Sequence, residues 1–275
     1  MGVEEHTIEF DGAPVFYRRA PVGATEILYL HSVPTSSDDW VEALGLAGGV
    51  AVDLPGFGRS GKAGNLDYSL NGYVSFAERL LDTLSIPEVG LIGHGWGAAV
   101  ALLLAGRAPE RVTRLAIVDA LPLLHGFRWP RLGRWLQTPG VGEMLMGSVS
   151  RWILARTLRG ASASEQAWPD ARVKAVWEQF DQGTQRAILR LHRSARSGSL
   201  AVTGAGLGQL TQPTLVAWGE RDPWFAPAFA EAYARALPNA TVELVAGAGH
   251  WPWLDRPELL GRLTEFASGT PEPLP

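Results

Sequence analysis

Cysteine is absent from this 275-residue chain, which removes disulfides, thiolate nucleophiles and cysteine-ligated zinc or iron–sulfur sites together. An excess of basic residues is absent too: 24 Lys and Arg stand against 28 Asp and Glu, a net charge of −4. Nucleic-acid binders and polybasic membrane binders both need a positive footprint that this balance does not supply. Long apolar runs are missing, since none approaches the roughly 18 residues that span a bilayer. The opening Met1-Gly2-Val3-Glu4-Glu5-His6 is acidic and lacks the apolar core of a secretory leader. It also carries His6 where an acylation signal has Ser or Thr. These absences lead us to expect a soluble, cytoplasmic protein whose partner is a small-molecule substrate, with no nucleic acid and no membrane; they leave the oligomeric state open. The Pro-rich end, Ser268–Pro275, is expected to be a disordered tail.

What is present is a rhythm. Thr7–Phe10 and Val15–Arg18 read as strands about an Asp11-Gly12 turn, hence a hairpin. Beyond it, strands are expected over Glu26–His31, Gly49–Asp53, Val89–Gly93 and Val112–Asp119. Helices alternate with them over Asp38–Leu46, Leu70–Leu84 (with Ser69 as N-cap) and Ala98–Ala105. From Ala120 to Gly206 the rhythm stops, and the stretch reads as amphipathic helices such as Val141–Leu158 and Ala171–Ser194. It resumes with strands Thr214–Trp218 and Thr241–Val245 and helices Pro227–Leu237 and Pro257–Ala267. Such alternation gives an α/β class with parallel strands covered on both faces. Residues 1–119 and 207–275 are therefore expected to form one core, and 120–206 a helical lid over an active site. The lid's arginines read as solvated faces of amphipathic helices and its tryptophans as part pocket ceiling, part packing.

Glycine is abundant, at 32 residues, and one cluster is informative: Gly93-His94-Gly95-Trp96-Gly97-Ala98, between a strand and a helix. One reading is dinucleotide binding. Gly93, Gly95 and Ala98 fit G-x-G-x-x-G/A, and Asp119 ends the next strand where a ribose-binding acid belongs. Gly56–Gly61 fits the same pattern, which shows how cheaply it arises, and the reading leaves the later motifs unexplained. The other reading is a nucleophile elbow, G-x-Nuc-x-G, which lifts one side chain above the sheet. It requires an oxyanion loop after an earlier strand, and His31-Ser32-Val33-Pro34-Thr35 follows one. It requires an acid after a later strand, and Trp218-Gly219-Glu220-Arg221-Asp222-Pro223 supplies Asp222. A histidine must follow the last strand, and His250 lies in Ala246–Trp253.

On these motifs the chain resembles the α/β-hydrolase fold family over about residues 7–267, and Asp53–Ser60 is similar to that family's loop after its fourth strand. The lid phrases Leu121–Trp129 and Gly183–Arg190 resemble members near the haloalkane dehalogenases and epoxide hydrolases. The resemblance implies a mostly parallel eight-stranded sheet with helices on both faces and an inserted helical lid. It implies hydrolysis at an ester-like, halide or epoxide carbon of a small, largely apolar substrate, with no metal and no organic cofactor. His250 would be the general base, oriented by Asp222. Asp119 would be an alternative acid, or a cap on the first lid segment. Ser32 and the backbone N–H groups of Val33 and Trp96 would bind substrate and the oxyanion. His31 would be structural, beneath the oxyanion loop.

One position departs from the family. Gly95 stands where its members carry Ser, Asp or Cys, and glycine has no atom to attack with. The elbow turns its neighbours His94 and Trp96 away from the point of attack, so Ser32 is the remaining hydroxyl nearby. Asp and Ser each lie one base change from a glycine codon, and three accounts stay open. Gly95 is an introduced substitution; or His250 and Asp222 activate a water seated in the space Gly95 vacates; or the chain is a non-hydrolytic lyase, cyclase or ligand-binding protein. The elbow and the Trp-rich lid lean toward Asp as the parental nucleophile, the Asp53–Ser60 loop toward Ser. Both finer resemblances are incomplete. Val33 stands where a dehalogenase's second halide donor would be Asn, and Tyr17, Tyr29, Tyr68, Tyr73 and Tyr233 all lie outside the lid that an epoxide hydrolase's acids occupy.

Overall fold

The computed structural model describes residues 2–23 and 25–269; the expected tail beyond Gly269 lies outside the described residues. Eight strands make one sheet: β1 (Glu4–Phe10), β2 (Ala13–Ala20), β3 (Ile27–Leu30), β4 (Gly49–Val52), β5 (Val89–His94), β6 (Val112–Val118), β7 (Thr214–Gly219) and β8 (Ala240–Val245). Their order is β1-β2-β4-β3-β5-β6-β7-β8. The hairpin turn is Asp11-Gly12, both with positive φ (55° and 75°), the conformation whose twist matches paired strands. Only the β1–β2 and β2–β4 pairings are antiparallel. All four residues of β3 and of β4 are buried, as befits strands covered on both faces.

Crossover helices follow the strands. A 3₁₀ turn at Ser37–Trp40 leads into α1 (Val41–Ala47), where the sequence suggested one continuous helix. Next come α2 (Leu70–Thr83), whose Ser69 Oγ accepts from Gly72 N, and α3 (Gly95–Arg107), which starts three residues before the expected Ala98. Between β6 and β7 run α4 (Arg131–Gln137), α5 (Val141–Gly147), α6 (Arg151–Gly160), α7 (Asp170–Gln179), α8 (Gln182–Ser194) and α9 (Ser197–Thr203). The two long helices expected here are each broken. Ser150 caps α6 by accepting from Ile153 N, and Asp181 caps α8 by accepting from Thr184 N. The chain closes with α10 (Ala228–Ala236), α11 (Pro252–Asp255) and α12 (Leu259–Ser268), so Ser268 is still helical and Gly269 is its left-handed cap.

Helices α2, α3 and α10 pack one face of the sheet and α1 and α12 the other, giving two apolar layers. Leu80 and Leu81 of α2 are fully buried in the first layer and Leu259 and Leu263 of α12 in the second. Truncating any one to Ala costs about 2–5 kcal/mol, transfer and cavity terms together. No helix among the described residues is long and apolar enough to cross a membrane.

Candidate active site

The site forms where β5 becomes α3 with no intervening loop. His94, in extended conformation, is the helix N-cap, and Gly95 turns the chain at φ +50°. That left-handed value is costly for any residue with a Cβ. Neighbouring glycines permit the close approach: a Cβ on Gly93 would lie 2.6 Å from Ala98 Cα, and one on Gly97 only 2.3 Å from Leu30 O. A Cβ built on Gly95 would lie 3.7 Å from His250 Nε2, so Gly95 occupies the apex of the turn beside the histidine. The same Cβ would meet Ser32 first, at 2.2 Å from Oγ and 2.8 Å from its Cβ. The space expected to hold a water therefore holds the Ser32 side chain.

His250 follows β8 and is almost fully buried. Its Nδ1 lies 2.8 Å from Asp222 Oδ2, which fixes the tautomer and leaves Nε2 facing Gly95. Asp222 Oδ1 accepts from Trp224 N at 2.7 Å and Phe225 N at 3.1 Å. Burial alone would raise the Asp222 carboxyl, but the adjacent imidazole and these amides hold it below its ordinary value. Trp224 covers the imidazole with ring centroids 4.5 Å apart. Behind it, the buried His94 ring donates to the His250 carbonyl at 2.8 Å. Burial, with the neighbouring His250 second, pushes the His94 pKa well down, so it is a neutral strut.

Asp119 ends β6 beside this pair; ligand atoms of Asp119, Asp222 and His250 all lie within 4.8 Å of one another. These are the only three metal-ligating side chains so grouped among the described residues, and the His250–Asp222 hydrogen bond already satisfies two of them. Asp119 Oδ1 accepts from Gly219 N at 3.0 Å, while Oδ2 is buried without a partner among the described residues. Asp119 thus ties β6 to β7 and does not cap the first lid segment. Burial and then the Asp222 charge push its carboxyl well above its ordinary value, which favours the protonated form. It is fully buried and cannot reach a ribose, which takes away the acid the dinucleotide reading needs.

The oxyanion loop is braced from below. His31 Nδ1 donates to Ser32 O at 2.7 Å, its Nε2 accepts from Leu54 N at 2.9 Å, and Thr35 Oγ1 donates to Ser32 O at 3.1 Å. Ser32 Oγ accepts from Trp96 N across a long 3.3 Å. Val33 N has no acceptor among the described residues and is half-buried at the edge of the cavity. With no side chain capping α3, its first-turn amides point at this spot and favour negative charge there.

Above lies a cavity of about 300 Å³, lined by Val33, Trp96, Trp129, Phe180, His192 and His250, among others. The Trp96 side chain thus forms cavity wall, and its indole N–H has no hydrogen-bond partner among the described residues. No tyrosine lines the cavity, and Val33 offers it only a backbone donor. Of the lid tryptophans, Trp129 faces the cavity, Trp168 packs in the second apolar layer, and Trp135 and Trp152 are exposed. His192 was not singled out from the sequence, although it lies four residues after the buried Ile188 on the inner face of α8. Its Nδ1 donates to Ile188 O at 2.8 Å, and burial pushes its pKa down to about 4. Trp224 and Phe225 were also missed; their placement follows from the Asp222 turn.

The helical segment between β6 and β7 is tied to the loop that carries His250. His250 N donates to Ala161 O at 2.7 Å, and Asp255 of α11 accepts from Ala163 N at 2.9 Å, Ser164 N at 3.0 Å and Gly249 N at 2.9 Å.

Comparison with known proteins agrees with this architecture. A family model described as alpha/beta hydrolase fold matches residues 26–257. A haloalkane dehalogenase from Mesorhizobium japonicum is 29% identical over 93% of this chain and 87% of its own length. The haloalkane dehalogenase DbeA from Bradyrhizobium elkani superposes with a TM-score of 0.83 at 26% identity, covering 97% of this chain and 98% of that one. The epoxide hydrolase CorEH superposes at 0.82 over 97% of this chain and 99% of its own, with 20% identity, a likeness of fold.

Proposed function

This chain belongs to the α/β-hydrolase fold family, and on that premise we propose that it hydrolyses small, largely apolar molecules with His250 as general base and an elbow that carries no nucleophile. One observation carries the reading: a side chain on Gly95 would begin 3.7 Å from Nε2 of a buried histidine whose other nitrogen is bonded to Asp222. A base and its orienting acid are in place without the group they ordinarily activate. His250 takes a proton at Nε2, Asp222 stabilises the resulting imidazolium, and the Val33 and Trp96 amides receive developing charge on the substrate oxygen. The apolar lining selects for uncharged substrates, and about 300 Å³ lies at the lower end of ligand pockets, which favours short chains.

A non-hydrolytic reaction, a lyase or cyclase step needing only proton transfer, is the second reading; the intact base beside a missing nucleophile favours it. The test is a panel of short-chain p-nitrophenyl esters, haloalkanes and epoxides assayed with the chain and with His250→Ala. We expect turnover of one class, falling about 10²–10⁴-fold in the variant. Turnover that His250→Ala leaves unchanged, or none on any class, overturns the hydrolase reading.

A further inference from the structure

The vacated elbow is not empty. Ser32 Oγ sits 2.2 Å from where the missing Cβ would be, a reach comparable with that of an aspartate carboxylate oxygen from its own Cβ. We propose that Ser32 is the nucleophile of this site, supplied from the oxyanion loop in place of the elbow, and that the substrates are therefore carboxylic esters. This rests on the hydrolase reading above, since it uses the same base and cavity.

Four features of the seat carry the proposal. The ideal Cβ position of Gly95 lies 2.2 Å from Ser32 Oγ and 3.7 Å from His250 Nε2, so both groups border one spot and the proton passes after a side-chain rotation or through one bridging water. The hydroxyl proton has no acceptor among the described residues, so nothing competes for it. Oγ accepts from Trp96 N at the N-terminus of a 13-residue helix, where partial positive charge stabilises an alkoxide. The Ser32 backbone cannot drift, because His31 and Thr35 both hold its carbonyl.

The chemistry then selects the substrate. Ser32 Oγ attacks the ester carbonyl while its proton goes to His250 Nε2, and the carbonyl oxygen takes its negative charge to Val33 N–H. Once Oγ is bonded to carbon it is a poor acceptor, and the long Trp96 bond is released to the same oxyanion. Collapse expels the alkoxide, which leaves with the proton from His250. A water deprotonated by His250 then cleaves the acyl–Ser32 ester and returns the hydroxyl. A haloalkane or epoxide attacked by the same oxygen would leave an ether on Ser32, which a histidine-activated water does not cleave. Turnover is thus confined to acyl substrates.

The experiment uses the whole chain, p-nitrophenyl butyrate and the phosphorylating probe diethyl p-nitrophenyl phosphate. Acid-quenched protein is weighed intact and its peptides sequenced by mass spectrometry, beside Ser32→Ala, Ser32→Thr and His250→Ala checked for folding by circular dichroism. We expect a butyryl or diethylphosphoryl adduct on Ser32 that forms at least 10²-fold more slowly in His250→Ala, absence of that adduct in Ser32→Ala and partial retention in Ser32→Thr. Adduct mapping on the unaltered chain keeps the test valid if a variant misfolds. His250-dependent ester hydrolysis with no adduct on Ser32, or sustained haloalkane or epoxide turnover, overturns the proposal and leaves direct water attack standing. Absence of any His250-dependent turnover removes the hydrolase reading itself.

Discussion

Replacing Gly95 with serine puts a nucleophile back at the elbow, and the structure says what it costs. At φ +50° a residue with a Cβ pays about 1–2 kcal/mol of backbone strain. The new Cβ lies 2.2 Å from Ser32 Oγ and 2.8 Å from Ser32 Cβ, closer than real contacts allow. Overpacking of this kind costs a further 1–3 kcal/mol or so. Gly95→Ser alone should therefore lose about 2–5 kcal/mol, read as a midpoint lowered by about 2–4 °C per kcal/mol in thermal unfolding. Ser32→Gly removes both offending atoms. In that background the same Gly95→Ser change should cost only the strain, giving a coupling of about 1–3 kcal/mol in the double-mutant cycle. The double variant also carries a hydroxyl beside His250 Nε2 and should hydrolyse esters, whereas Gly95→Ser alone, with its side chain colliding with Ser32, should lose much of the unaltered chain's ester turnover. A coupling within about 0.5 kcal/mol of zero would refute the claim that Ser32 fills the nucleophile's space.

Asp222→Asn keeps the shape but loses the charge that steadies the imidazolium, so kcat/KM should fall about 10³–10⁴-fold; a loss below tenfold would transfer the role elsewhere. Asp119 has a raised pKa in the fold, so its contribution to stability is present below the unfolded carboxylate value and is lost as pH rises toward its folded one. Asp119→Asn, which mimics the protonated acid, should flatten that decline in unfolding midpoints as pH rises above the ordinary carboxylate range, while changing turnover only a few-fold. His192 behaves oppositely: lowered from 6.5 to about 4, it adds stability that is present above 6.5 and lost on acidification through 4. That contribution is about 3 kcal/mol, and His192→Phe should remove this acid-side component in urea unfolding at pH 7 and pH 4; identical pH profiles would refute it.

Much of the core is legible in the chain because its signals are local. Apolar runs mark β3 to β6, Asp11-Gly12 marks the hairpin, and strand ends place Asp222 and His250 in order. The lid was read less well. Apolar periodicity continues through Ser148–Ser150 and through Phe180–Asp181, so the breaks are visible only in the capping bonds of Ser150 and Asp181. Gly95 was legible as an anomaly, but not the manner in which it is filled. That Ser32 occupies the missing side chain's volume depends on two loops 63 positions apart approaching one another, which no short-range pattern encodes. His192 sat in plain phase with Ile188, but a histidine among apolar neighbours carries no mark of what it faces.

The bonds of Ala161 to His250 and of Ala163 and Ser164 to Asp255, which also holds Gly249, give the helical insert a fixed hinge post. Swinging the insert on the α6 side would drag His250 with it. The opposite margin, around α4 and α5, carries the exposed Leu132 and Met144. The same post limits how the insert can be exchanged. A foreign helical cap grafted onto this sheet would need a carbonyl where Ala161 has one and two amides for Asp255, or the histidine would lose its backbone mooring. Diversification of the pocket is thus free on one side of the cap and tethered to catalysis on the other.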